Sequence, residues 1–198
     1  MQNTISNLEK HGFEVIQVPN KTEALKIAKS FIKDGQKVGL GGSVSVSEIG
    51  LLDYILNHKN LNVSNQYEPG ISMEENTKRR REGMMSDIFV SSSNAITKNG
   101  ELVNADGSGN RVAAQIFGPK KVLLIVGINK IVDDVKAGFA RITNIAAPKN
   151  IERINNTAIK YGKEPKHNMS NIGNKFAYID ADVPGRTTII LVNENLGY

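Results

Sequence analysis

A polar stretch near the middle of the chain carries the residues best suited to chemistry. It spans residues 104–111 and has the sequence NADGSGNR. Asp106 could act as a general base or hold a ligand hydroxyl, and Arg111 could bind an anion through its guanidinium. The same pattern also suits an Asp turn and a helix cap, with Arg111 on the surface. The candidate ligand residues of this stretch are Asp106, Gly107, Ser108, Gly109, Asn110 and Arg111.

A second glycine-rich segment, GGSVSVSE at residues 41–48, lies between a predicted strand and a predicted helix. Glycines let the backbone approach a ligand, and the amides at a helix N-terminus favour an anion. The alternative is a tight turn in which Ser45 caps the helix and Glu48 completes a capping box. The segment matches neither a P-loop nor a complete dinucleotide-binding fingerprint. Its candidate residues are Gly41, Gly42, Ser43 and Ser45 for a ligand, and Glu48 as an acid–base group besides Asp106.

The run KRRR at residues 78–81 is the densest positive charge in a chain of formal net charge +5. Nucleic-acid binding would favour aromatic stacking groups within the run, but Tyr67 and Phe89 lie outside it. Glu75 and Arg79 are four residues apart, a spacing that favours a solvated helix with internal ion pairs. Nucleic-acid binding is therefore disfavoured, although one arginine of the run could point toward a pocket.

The composition excludes several classes of site. The chain has no Cys, so it cannot form disulfides, a thiolate nucleophile or Cys-ligated metal and iron–sulfur sites. Its three His residues show no metal-ligand spacing, so we expect no metal site. No apolar run is long enough to cross a membrane, and the N-terminal residues lack the pattern of a signal peptide. We therefore expect a cytoplasmic protein without membrane contacts.

The order of helix and strand signals predicts a single α/β domain over residues 1–198, with an open, mostly parallel sheet flanked by helices. The β-branched run at 121–126 has no polar face and predicts a central strand covered on both sides. Helices are expected around 131–142 and 150–161, followed by a loop and a closing strand at 187–192. Ligands in such sheets bind beyond the carboxyl ends of the strands, where both polar glycine segments fall.

Several segments together resemble the LUD-domain family, which includes proteins of the lactate-utilisation protein C type. The resemblance covers nearly the whole chain, and its most specific part is SNAITKNGELVNADGSGNRVA followed by IFGPKKV. Further matching segments are VGLGGSVSVSEIGLLD, AAPKNIERI and GRTTIILVNENLGY. The family implies a fold similar to the NagB/RpiA/CoA-transferase-like class, whose members bind phosphorylated or carboxylated ligands at corresponding glycine loops. The resemblance adds Arg79, Arg80, Asn94, Asn150 and Arg153 to the candidate ligand residues.

The resemblance implies a protein that binds a small anionic metabolite, a carboxylate or a phosphate, as an accessory component of lactate oxidation. Iron–sulfur clusters would then belong to oxidoreductase partner proteins, since this chain has no Cys and no cofactor of its own is evident. Several relatives carry a Cys-rich segment where this chain has residues 161–171, which argues further against a cluster role. Two alternatives stay open: an isomerase- or transferase-like enzyme acting on a sugar phosphate or CoA ester, and nucleic-acid binding through residues 78–81. A homo-oligomer also stays open, because apolar strands such as 189–192 could extend an intermolecular sheet.

Overall fold

Helices and strands alternate along the chain in the computed structural model, which describes all residues from 1 to 198. The first half contains α1 (Gln2–Lys10), β1 (Glu14–Val18), α2 (Lys21–Phe31), β2 (Lys37–Leu40), α3 (Val44–Glu48), α4 (Leu51–Leu56), β3 (Asn62–Val63), α5 (Met73–Gly83) and β4 (Ile88–Ser91). The second half contains β5 (Ala95–Thr97), β6 (Leu102–Asp106), α6 (Asn110–Ile116), β7 (Lys121–Gly127), β8 (Ile131–Val132), α7 (Val135–Arg141), α8 (Ala147–Lys160), β9 (Lys175–Ile179) and β10 (Thr187–Val192). None of the helices combines the length and the apolar character that crossing a bilayer requires.

A six-stranded sheet forms the centre of the molecule, in the order β1-β10-β7-β4-β2-β3, and all its strands run parallel. Alternate residues of β7 enter two different apolar clusters. Leu123 and Ile125 pack with residues of α2, α3 and α4, whereas Val122 and Leu124 pack toward α1 and the β5–β6 hairpin. Both faces of the strand are covered, which explains its continuous apolar sequence. The predicted α/β fold with a mostly parallel, helix-flanked sheet is confirmed.

A second sheet of four strands, in the order β8-β5-β6-β9, lies against one face of the central sheet. The Asn-Gly pair at residues 99–100 forms the turn of its hairpin, because β5 and β6 pair antiparallel on either side. Helix α7 covers the other face, where a Cβ on Gly138 would lie 2.9 Å from the Val103 side chain. The molecule therefore has four layers: helices, the parallel sheet, the smaller sheet and further helices.

The second sheet corrects the sequence prediction of a single sheet. Strand β9 falls within the segment that we expected to be a loop, and β8 occupies two residues that we expected to be helical. Strand β8 is too short to show a pattern, and β9 leaves Phe176 and Tyr178 about half exposed. Both strands form by pairing with the β5–β6 hairpin, so their own sequences carry little signal.

The two helices predicted after β7 form one continuous helical stretch, in which a π-helical turn, Ile142–Ala146, joins α7 to α8. The stretch begins at Asp134, whose side chain accepts the Ala137 amide at 2.8 Å. Pro148 follows the π turn and has no amide hydrogen to donate to the carbonyl four residues earlier. The wider turn accommodates this missing bond without ending the helix.

The carboxyl ends of β2, β4 and β7 meet at one edge of the central sheet, because the three strands are parallel. The end of β6 joins the same edge through two hydrogen bonds. The Asn94 amide donates to Asn104 Oδ1 at 2.9 Å, and the Ala105 amide donates to Asn94 Oδ1 at 3.0 Å. The two polar glycine segments are therefore brought together, as the strand order predicted.

Ile190, on the inner strand β10, is fully buried, so Ile190→Ala should lower the free energy of unfolding by about 2–5 kcal/mol through lost burial and a residual cavity. Ile159, on α8, is 58% exposed, and Ile159→Ala should change stability by no more than about 0.5 kcal/mol. Urea unfolding of both variants measures the difference. Equal effects would contradict the placement of β10 in the core.

Candidate functional site

A cavity of about 750 Å³ lies at the carboxyl edge of the central sheet and is closed on its outer side by α8. Most of the predicted ligand residues line it: Gly42, Ser43, Arg80, Asn94, Asp106, Gly107, Ser108, Asn110, Arg111, Asn150 and Arg153. The predicted residues that do not line it are Gly41, Ser45, Glu48, Arg79 and Gly109. Segments far apart in the sequence thus contribute to a single site.

The cavity wall carries an excess of positive charge. Its basic residues are Arg80, Arg111, Lys130, Arg153 and Lys163. Asp106 is the only acidic side chain in the wall, and its carboxylate is paired with Arg111. The other basic side chains form no salt bridge, and unpaired cations around a concave space favour an anionic ligand.

Arg111 is buried, with 7% of its surface exposed, so the alternative that placed it on the surface was wrong. Its Nε donates to Asp106 Oδ1 at 3.1 Å. Nη1 donates to Asn104 Oδ1 at 3.0 Å and to the Ser92 carbonyl at 3.2 Å. Nη2 donates to Asn94 Oδ1 at 2.7 Å and to the carbonyl of residue 105. All five donors of the guanidinium are occupied within the protein, so Arg111 positions the cavity wall and has no donor free for a ligand.

The Asp106 carboxylate accepts three hydrogen bonds within the protein. Besides the Arg111 side chain on Oδ1, it accepts the backbone amides of Arg111 and Val112 on Oδ2, at 2.9 and 3.3 Å. These are first-turn amides of α6, so Asp106 caps that helix as the alternative interpretation predicted. A general base needs a carboxylate oxygen that can reach a substrate proton, and both oxygens here already have protein partners.

The first glycine segment forms a tight strand-to-helix turn, but its cap is Ser43 and not Ser45. Ser43 Oγ accepts the Val46 amide at 3.2 Å. Ser45 is fully buried within α3, and its hydroxyl donates to the Leu196 carbonyl at 3.2 Å. Helix α3 has only five residues, so its dipole offers little attraction to an anion.

Gly41 and Glu48 have structural tasks outside the cavity. A Cβ at Gly41 would lie 2.5 Å from the Ser91 hydroxyl, so glycine is required for β2 to approach β4. The exposed Glu48 carboxylate accepts the Gly197 amide at 2.7 Å, which fastens residues 193–198 to α3. Neither residue reaches the cavity as a ligand group or as an acid–base group.

The basic run of α5 places Arg80, and not Arg79, in the cavity. Arg79 is committed to ion pairs with Glu68 and Glu75. Arg80 donates from Nη1 to the Ser108 hydroxyl at 2.8 Å, while its buried Nε has no hydrogen-bond partner. Arg80 therefore keeps N–H groups that could donate hydrogen bonds to a ligand.

The outer wall of the cavity is formed by Arg153, Asn150 and Tyr198. Arg153 Nε donates to the Tyr198 hydroxyl at 2.7 Å, and its Nη2 donates to Asn150 Oδ1 at 2.8 Å. The Tyr198 hydroxyl in turn donates to Asn150 Oδ1 at 3.2 Å. These contacts hold the exposed Arg153 guanidinium at the cavity wall and leave part of its hydrogen-bonding capacity unused. Sequence analysis missed Tyr198, because no local pattern connects it to α8.

Sequence analysis also missed Lys130, which is 3% exposed and lines the cavity. Its Nζ donates to the hydroxyls of Ser45 and Ser92 at 2.9 and 3.0 Å, and no carboxylate pairs with it. Burial, together with the positive charges of Arg141 and Arg111, lowers the pKa of the Lys130 ammonium to about 7. Its position directly after the carboxyl end of the central strand is the one signal in the sequence that could have indicated it.

Arg111→Met should destabilise the fold by about 3–5 kcal/mol, because it leaves the Asp106 carboxylate, whose side chain is only 14% exposed, without its cation. Arg153→Met removes an exposed guanidinium of the same cavity and should cost no more than about 1 kcal/mol. Urea unfolding compares the two. Similar stability of both variants would show that the hydrogen bonds and the ion pair of Arg111 do not stabilise the fold.

The lowered pKa of Lys130 predicts a specific pH dependence of stability. Between about pH 7 and 10 the unfolded chain binds a proton at this lysine that the folded chain has lost. The free energy of unfolding of the wild type should therefore rise across this window relative to that of Lys130→Met, which lacks the titrating group. Urea unfolding of both proteins at several pH values measures the difference. Parallel pH profiles would contradict the lowered pKa.

Comparisons with known proteins found the following similar structures and family. A DUF162 family protein from Deinococcus radiodurans is similar over 97% of this chain and 95% of its own, with a TM-score of 0.52 and 12% identity. A ribose 5-phosphate isomerase from Plasmodium falciparum matches 57% of this chain and 52% of its own at 18% identity and a TM-score of 0.35. A D-ribose-5-phosphate isomerase in complex with phospho-erythronic acid matches 77% of this chain and 71% of its own, at 16% identity and a TM-score of 0.41. No curated protein matches the chain significantly. The model of the LUD domain matches residues 1–192, and the chain therefore belongs to the LUD-domain family.

Proposed function

We propose that this protein binds a small anionic metabolite, a carboxylate or a phosphate ester, in the cavity at the carboxyl edge of its central sheet. The observation that carries the proposal is the charge of the cavity wall, where several basic side chains face one carboxylate that is already paired. Without a ligand these cations repel one another, and an anion would relieve that repulsion. The volume suits a small molecule.

Arg80 and Arg153 are the residues that we expect to bind the anion. Arg80 has a buried Nε without a partner, and Arg153 is held at the cavity wall by Asn150 and Tyr198. Both guanidiniums can present paired donors to a carboxylate or phosphate. Arg111 is the cavity's remaining arginine, and its role is to fix the loops between which the ligand binds.

Membership of the LUD-domain family supports an accessory role in lactate utilisation. Lactate and its oxidation product pyruvate are both small carboxylates, which is the ligand class that the cavity favours. The chain has no Cys, and no group of three His, Asp or Glu side chains could hold a metal. In such a role the electrons of lactate oxidation would pass to iron–sulfur clusters of partner proteins.

The structure does not favour the nucleic-acid alternative. Within the basic run of α5, Lys78 and Arg79 form ion pairs with Glu75, and Arg79 also pairs with Glu68. The arginine that follows them, Arg80, turns toward the cavity. Only Arg81 of the run stays exposed without an ion-pair partner, which is too little charge for a phosphate-tracking surface.

Titration calorimetry with lactate, pyruvate, inorganic phosphate and ribose 5-phosphate tests the proposal. We expect at least one of these anions to bind, and both Arg80→Gln and Arg153→Gln to weaken it roughly 10- to 100-fold, because each removes a charged hydrogen-bond donor. Added salt should weaken binding as well.

The matched control is Arg81→Gln, which removes the same charge from the same helix outside the cavity and should leave the affinity unchanged. A loss of affinity in Arg81→Gln equal to that in Arg80→Gln would mean that overall charge, and not the cavity, attracts the anion. Binding of none of the four anions would contradict the proposed function.

A further inference from the structure

The Lys130 amine occupies an unusual place, since it is a buried basic group with no acidic partner. It lies in the 3-10 turn Ile128–Lys130 that follows the central strand β7, and it forms part of the cavity wall. No salt bridge involves it, and the charged groups that act on it are Arg141, Arg111 and the exposed Glu48. A lysine whose only task was to fill space would be less costly as Met or Leu.

The hydrogen bonds around Lys130 fix the direction in which each proton is donated. The Ser45 hydroxyl donates its own proton to the Leu196 carbonyl, and the Ser92 hydroxyl donates to the Ser93 carbonyl at 3.2 Å. With their own protons on these carbonyls, both hydroxyls accept from Lys130 Nζ. Two of the positions around the nitrogen are thus used by N–H bonds.

The remaining position of the amine is available for chemistry. In the neutral amine one position carries the lone pair, which stays free when both serine hydroxyls donate to the backbone carbonyls. The backbone at Gly197 passes directly beside the group, since a Cβ there would lie 2.7 Å from Ser45 Oγ and 3.4 Å from Lys130 Nζ. Residues 193–198 therefore shield the amine from bulk solvent on that side, while the cavity remains its access to a ligand.

We propose that Lys130 is a nucleophile that forms a reversible imine with a small anion carrying an aldehyde or ketone carbonyl. The inference rests on the proposed anion-binding function, because the cavity's free cations would hold the anionic group while Lys130 meets the carbonyl. Oxo acids and the open-chain forms of sugar phosphates both carry an anionic group and an aldehyde or ketone carbonyl. The two serine hydroxyls orient the amine. Burial and the charges of Arg141 and Arg111 lower its pKa to about 7, so the unprotonated amine is populated near neutral pH.

The reaction balances without any oxidant, reductant or further reactant. The Nζ lone pair attacks the carbonyl carbon, and a new N–C bond forms as the carbonyl π electrons move to oxygen. Two hydrogens from nitrogen and the carbonyl oxygen then leave as water, which breaks the C–O bond and forms the C=N bond. Addition of water reverses the sequence and releases the carbonyl compound and the amine. A positive nitrogen in the protonated imine would also draw electrons from the adjacent carbon atoms.

Borohydride reduction of the full-length protein in the presence of pyruvate, and separately of ribose 5-phosphate, tests the inference. Intact-mass spectrometry and peptide mapping locate any reduced adduct. We expect a single adduct on Lys130, with an initial rate that rises with pH through a midpoint near 7, where the amine loses its proton. The two carbonyl compounds distinguish an oxo acid from a sugar phosphate as the preferred ligand.

Two variants of Lys130 and one matched control make the assignment specific. Lys130→Met removes the amine, and Lys130→Arg keeps a cation that cannot form an imine, so both should lose the adduct while circular dichroism shows that they are folded. Lys59→Met removes an exposed lysine outside the cavity and should retain it. An adduct on Lys163, which also lines the cavity, or spread over surface lysines would overturn the inference.

Calorimetry on the same samples separates this inference from the proposed function. If lactate or pyruvate binds but reduction gives no adduct on Lys130, then imine formation is refuted and anion binding stands. If no anion binds and no adduct forms, both proposals fail. Lactate has no aldehyde or ketone carbonyl, so its binding in Lys130→Met would confirm that the anion site exists independently of the amine.

Discussion

The buried guanidinium of Arg111 is the group on which the geometry of the cavity depends. On one side it bonds to Ser92 and Asn94, which follow a strand of the central parallel sheet. On the other side it bonds to Asn104 and Asp106, at the end of a strand of the second sheet. Because the guanidinium is planar and its donors have fixed directions, these contacts set both the spacing and the angle of the two sheets at this edge. A buried cation needs an acceptor for every donor, which explains why the middle of the sequence is so rich in amides, hydroxyls and an acid.

This network also determines which charges are left for a ligand. Arg111 and Asp106 neutralise each other, whereas Arg80 and Arg153 keep unpaired positive charge in the cavity wall. Burial, together with the positive charges of Arg141 and Arg111, lowers the pKa of Lys130, which lies in the turn after the central strand β7. In the proposed function Arg111 is structural, Arg80 and Arg153 bind the anion, and Lys130 supplies the amine, although all four basic side chains look alike in the sequence.

The fold class could be predicted because its signals are local. The apolar run at 121–126 indicated a central strand by itself, while strands such as Lys175–Ile179 depend on pairing with a neighbour that the sequence does not identify. For the site, the NADGSGNR stretch was correctly located, yet Arg111 was expected either on the surface or at an anion. Its saturation by internal acceptors depends on loops brought together by the fold. Lys130 was missed because a single lysine after a strand has no motif, and only its burial distinguishes it.

A crystal structure of the protein grown with a saturating concentration of pyruvate tests the central claim most directly, because it shows the anion and the wall residues together. The account predicts density for pyruvate in the cavity, with its carboxylate on Arg80 or Arg153 and its carbonyl carbon bonded to or facing Lys130. It also predicts that Arg111 keeps its bonds to Asp106 and to the loop after β4. Pyruvate bound elsewhere, or Arg111 turned into the cavity to bind the carboxylate, would contradict it.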